Sequence, residues 1–147
     1  MMNTQTRENI VAEARTWIGT PYQHQASLIG VGADCLGLVR GIWRACIGPE
    51  PEATGPYSPD WAEASGQERL LEAGRRHFLP ADPQNIRPGD VLLFRWKDHV
   101  PAKHLGIASA PGRMVHAHDG ASVAEVAITP WWQRRLASAF QFPGLIG

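Results

Sequence analysis

Residues 34–48 read DCLGLVRGIWRACIG, and the reading of this stretch decides the fold. Cys35, Leu38, Val39, Ile42, Trp43 and Cys46 fall at i, i+3, i+4, i+7, i+8 and i+11, the spacing of one buried helical stripe. Asp34 precedes the stripe as an N-cap and Gly48-Pro49 follow it as a stop. A helix over this span separates the two cysteines by about 16 Å, against a bridging limit of about 7 Å between α-carbons. The two thiols are therefore expected to stay unpaired. Cys46 falls among the carbonyl ends of the last turn and reads as core packing. Cys35 falls in the first turn, where unpaired amides and the helix dipole favour a thiolate, and is the candidate nucleophile.

Upstream, Thr6 to Ile18 reads as a helix with Ile10, Val11, Ala14, Trp17 and Ile18 on one face, ended by Gly19-Thr20-Pro21. The loop that follows, GTPYQHQASLIGVGA, has glycines that allow close approach to the start of the cysteine helix. Downstream, Gly48 to Pro59 holds Pro49, Pro51, Pro56 and Pro59 and reads as a loop. Asp60 to His77 reads as an amphipathic helix, with Trp61, Ala64, Leu70, Leu71 and Ala73 as its apolar positions.

The period then changes. Arg87-Pro88-Gly89-Asp90 turns into VLLFRW, and HLGIAS, MVHAH and SVAEVAI follow between turns at 111–113 and 119–120. Four short strands with tight connections predict an antiparallel meander. PWWQRRLASA is expected to form a short helix from Pro130, and FQF a last strand. Helices first and sheet second imply an α+β fold with the cysteine helix packed on the sheet, in a single domain over residues 1–147.

Alternation sorts the histidines. His104 shares a face with Gly106 and Ala108, small residues that leave room for a helix or substrate; His116 and His118 share a face with Met114. A thiol nucleophile needs an imidazole to take its proton, and that imidazole needs a third group to orient it. His104 is the candidate base and His116 the candidate orienter, with His118 able to contact substrate or to stand in for His116. His24, His77 and His99 are read as ordinary surface or packing residues. The rival reading is a metal site built on His116 and His118 with His104 or Asp119; HAH has no CxxC or HExxH pattern beside it, so no metal and no cofactor is expected.

Charge excludes other classes. The 147 residues carry 14 basic and 14 acidic side chains, which offers no electrostatic grip on nucleic acid or an acidic membrane. No apolar run reaches the length of a membrane span, and MMNTQTREN has no signal-like core, so neither membrane partnership nor a secretory leader is expected. Walker and Rossmann loops and a G-x-S-x-G elbow are absent from the sequence.

GTPY at 19–22, ADCLGLVRGIW at 33–43, PGDVLLF at 88–94, KHLGIA at 103–108 and MVHAHDG at 114–120 together resemble the NlpC/P60 family of cysteine peptidases. TPYQHQASLIGVGADCLGLVRG and HAHDG are similar, more narrowly, to cell-wall peptidases of tailed phages and gene transfer agents. The resemblance implies a papain-like core with Cys35 as nucleophile, His104 as base and His116 as orienter. Tyr22 would line the cleft, and Asp34 would cap the helix and contact the substrate amine. Leu36-Gly37 stands where many members have Ser-Gly, which removes one side-chain hydrogen bond to substrate. The implied substrate is the peptidoglycan stem peptide, commonly at the D-glutamate to diaminopimelate bond. The implied setting is a virion tail or baseplate, with tail proteins as partners. WWQRR at 131–135 is a candidate attachment patch, against the favoured reading of a helix that packs its tryptophans inward. A catalytically silent tail-tip adaptor and a thiol acyltransferase or amidase on another substrate are the alternatives.

Overall fold

The structure, a computed structural model, describes residues 5–52, 68–118 and 120–146. The stretch read as decisive forms helix α2, Cys35–Cys46. Asp34 caps it, its Oδ1 accepting from the Gly37 N–H at 2.7 Å. Leu38 and Ile42 are fully buried, each contributing about 1.5–3 kcal/mol by leaving water. Helix α1, Arg7–Thr16, is one residue shorter at its start than expected because Thr6 is its N-cap, accepting from the Asn9 N–H at 3.0 Å. Ile10, Val11, Ala14 and Trp17 bury against α2 and the sheet.

Among the described residues the strands are, in chain order, β1 Gln5–Thr6, β2 Ser27–Leu28, β3 Gly32–Ala33, β4 Leu79–Ala81, β5 Val91–Phe94, β6 His104–Ala110, β7 Arg113–His116, β8 Ala124–Ala127, β9 Leu136–Gln141 and β10 Leu145–Ile146. The main sheet has the order β4-β9-β5-β6-β7-β8, and every pairing in it is antiparallel. The expected meander is β5-β6-β7-β8. Helix α3, Arg69–His77, lies within the predicted 60–77 helix; Trp61, Ala64 and the rest of its first half lie outside the described residues, as do Pro56 and Pro59 of the proline-rich loop and Asp119.

The predicted helix PWWQRRLASA is corrected by the structure. Only Pro130–Gln133 is helical, as α4, and LASAFQ is strand β9. Helix propensity in the alanine- and leucine-rich segment loses to a slot between β4 and β5, where both strand edges find ladder partners. Alternation then sends Phe140 to one face of the sheet and Ala139 to the other.

Those two faces carry separate cores. Val91, Leu93, Leu105, Ile107 and Val115 meet α1 and α2 on one side. Leu92, Phe94, Ala108 and Met114 meet Trp132 and Leu136 on the other. A buried clasp joins α1 to the turn before β5: Arg7 Nη1 donates to Asp90 Oδ1 at 2.7 Å and Nη2 to Gln141 Oε1 at 2.8 Å.

Candidate active site

The site begins at the head of α2. Asp34 is buried, 3% exposed, and both its oxygens hold backbone: Oδ1 the Gly37 amide, Oδ2 the Gln25 amide at 2.7 Å. Gln25 sits at φ +67°, a conformation this bond stabilises. Ser27 Oγ donates to the Gly37 carbonyl at 2.6 Å. Gly37 is required here, because a Cβ would collide with the Ala26 carbonyl oxygen. Asp34 therefore fastens the 22–33 loop to the helix, and a substrate amine would have to reach a carboxylate already engaged twice. Tyr22 bridges Ala33 at the base of that loop and packs, half-buried, on the first core.

Cys35 keeps part of its surface in solvent. Its thiol donates to the Lys103 carbonyl at 3.6 Å, and the Leu105 amide faces the sulfur from the other side of His104. The amides of Cys35 and Leu36 also point at the sulfur. Burial pushes the thiol up to about 12, helped by the Asp34 charge, and these amides pull against it. The resting group is a thiol; desolvation overcomes the helix-start effect that favours a thiolate. Cys46 is buried, and burial and Glu13 raise its thiol as well.

His104 opens β6 opposite Phe94, and His116 closes β7 opposite Gly106. This diagonal brings His104 Nε2 and His116 Nδ1 to 2.9 Å. The room expected beside His104 is taken by β7: a Cβ on Gly106 would lie 2.8 Å from Met114 Sδ. The imidazoles do not face the body of α2 but lie on the opposite sheet face beneath α4. Cys35 meets His104 around the strand's first residue, through the backbone at 103 and 105.

Two tryptophans complete the enclosure. Trp132 and Trp96 stack on the His104 ring at 5.2 and 5.3 Å, and Trp132 meets His116 edge-on at 5.2 Å. The sequence holds six tryptophans, many for its length, but nothing local in the chain ties Trp96 or Trp132 to a histidine. Trp132 packs inward, whereas Trp131 is 42% exposed with the Arg135 guanidinium 3.6 Å over its ring.

Burial, with the neighbouring His116, His118 and Lys103, holds His104 well below the ordinary imidazole range. Burial and His118 lower His116 to about 4. Both are neutral near pH 7. His118 completes a cluster of three in which one ligand atom from each ring lies within 4.8 Å of the others. His24 lies 3.8 Å from Asp34, His77 pairs with Glu52 at 3.3 Å and His99 is exposed, all away from this cluster. Among the described residues no helix is long and apolar enough to cross a membrane.

The sequence and the fold have counterparts among known proteins. Gamma-DL-glutamyl hydrolase of Bacillus subtilis is 29% identical over 137 residues, covering 92% of this chain and 29% of that protein. An NlpC/P60 family protein of Bacillus cereus superposes with a TM-score of 0.70 at 20% identity, over 95% of this chain and 41% of that one. The NlpC/p60 domain of the peptidoglycan hydrolase SagA gives a TM-score of 0.64 at 23% identity, over 94% of this chain and all of that domain. The chain thus spans less than a third of the curated relative it matches. Residues 19–141 match the NlpC/P60 family over most of the sequence, and the protein belongs to that family.

Proposed function

We propose that the chain is a cysteine endopeptidase that hydrolyses peptidoglycan stem peptides through Cys35, His104 and His116. The observation that carries this reading is the Cys35 sulfur held against the backbone on both sides of His104, whose imidazole is bonded to His116. Nε2 of His104 is taken by His116, so Nδ1 is the nitrogen that receives the Cys35 proton. As that proton passes to Nδ1, the Cys35 sulfur attacks an amide carbonyl, and the Cys35 and Leu36 amides at the helix start receive the oxyanion. His104 delivers its proton to the departing amine, leaving a thioester on Cys35. Water, deprotonated by the same Nδ1, releases the acyl group as a carboxylate and restores the thiol. Because thiol and imidazole are both neutral at rest, proton transfer accompanies attack instead of preceding it.

The bond from D-glutamate to diaminopimelate is the proposed target, supported by the γ-glutamyl specificity named for the Bacillus subtilis relative. The proposed setting is the tail or baseplate of a phage-like particle, supported by the likeness of residues 20–41 and of HAHDG to phage-type wall peptidases. Digestion of purified sacculi with wild type and Cys35→Ser, followed by mass spectrometry of released muropeptides, tests the reaction: shortened stems from wild type alone are expected. The raised thiol pKa favours one second reading, a silent adaptor, for which neither protein releases product.

A further inference from the structure

His118 has no necessary part in the chemistry above, yet its ring centroid lies 5.6 Å from those of both His104 and His116. One nitrogen from each of the three rings falls within 4.8 Å of the others. Four-coordinate zinc with Zn–N bonds of 2.0–2.1 Å places its nitrogens about 3.4 Å apart. His104 and His116 stand at 2.9 Å and need to part by only about 0.5 Å to reach that spacing, while the accessible His118 swings inward. The donor set is three imidazoles with no carboxylate among the described residues, a composition that suits zinc, copper or nickel and disfavours magnesium or calcium. Trp96 and Trp132 wall the cluster on the side of α4 and restrict water there.

We infer that His104, His116 and His118 form an inhibitory site for Zn²⁺, at which the ion replaces the shared proton of the His104–His116 hydrogen bond. The consequence follows from tautomers. A metal on His104 Nε2 and His116 Nδ1 leaves the remaining proton of each ring on the opposite nitrogen. For His104 that nitrogen is Nδ1, the atom that must accept the Cys35 proton. The bound ion therefore removes the base without touching the nucleophile, and withdrawal of the ion restores it. No oxidation or covalent change is involved and no proton is lost overall: the Nε2 proton of His104 passes by way of solvent to Nδ1 as the ion binds, and returns to Nε2 on release.

The binding half of this inference stands apart from the peptidase reading; the inhibitory half rests on it. Isothermal titration of the purified chain with Zn²⁺ alone is expected to show one ion per chain, with a rise in melting temperature as zinc is added. His118→Ala should weaken binding by about tenfold or more. His116→Ala should do the same. Absence of saturable binding, or binding unchanged by both substitutions, overturns the site. In an active preparation, zinc at saturation should abolish muropeptide release and a chelator should restore it. Full hydrolysis at saturating zinc overturns the tautomer lock while leaving the peptidase reading intact. Where wild type without zinc shows no hydrolysis, the peptidase reading fails and the inhibitory half with it, and the titration still decides the site.

Discussion

His104 Nε2 and His116 Nδ1 share a hydrogen bond of 2.9 Å between adjacent strands, and both rings are buried. The bond fixes which nitrogen of His104 is left for chemistry. His116→Ala should therefore lower kcat by about a hundredfold to ten-thousandfold, as loss of an orienting group does elsewhere, with little change in KM. His116→Gln, whose carbonyl can accept from Nε2–H, should recover part of the rate. Steady-state kinetics on a soluble stem peptide separates this from a folding role, which would lower the amount of active enzyme and leave no rescue.

The same burial makes the fold sensitive to acid. His116 titrates near 4 in the folded chain against 6.5 when exposed, so between those values the unfolded chain binds more protons. Stability then falls as pH drops from about 6.5 towards 4, by on the order of 3 kcal/mol for this group. His104, lowered in the same direction, steepens the loss. Denaturant melts across that range, in chelator, should show a shallower dependence for His116→Gln than for wild type.

Cys35 should be a slow thiol at rest. With its pKa pushed up to about 12, alkylation by iodoacetamide should keep climbing above pH 9, past the point where an ordinary cysteine levels off. Peptide mapping by mass spectrometry distinguishes Cys35 from buried Cys46. A rate that saturates below pH 7 would instead reveal a preformed thiolate–imidazolium pair.

Gly37→Ala should destabilise the protein by about 1–3 kcal/mol, the ordinary cost of forcing an atom into a packed site. The new Cβ meets the Ala26 carbonyl oxygen, which belongs to the backbone and cannot rotate away. The loop bearing Tyr22 must shift with it, so chemical unfolding and kcat should both change.

The cysteine helix was legible because each signal agreed: cap, apolar stripe and stop all lie within fifteen residues, and Leu38, Val39, Ile42, Trp43 and Cys46 are all buried as spaced. The pairing of His104 with His116 was legible from strand alternation. The side of the sheet they occupy was not, because alternation orders residues within a strand without saying which face a helix covers. Strand β9 was hidden for a related reason: Leu136–Gln141 has helical composition, and only the open slot between β4 and β5 makes it extended. The tryptophan wall escaped because Trp96 and Trp132 meet His104 from a loop and a helix outside the histidine strands, where strand alternation orders nothing.

The central claim is that Cys35 attacks with His104 as its base. Turnover of a stem peptide containing the D-glutamyl to diaminopimelate bond, followed by mass spectrometry for wild type, Cys35→Ser and His104→Ala, tests it most directly, with matching thermal melts to verify folding. The account predicts cleavage by wild type and a loss of about a thousandfold or more in each variant. Comparable cleavage by Cys35→Ser, or none by folded, zinc-free wild type, would contradict it.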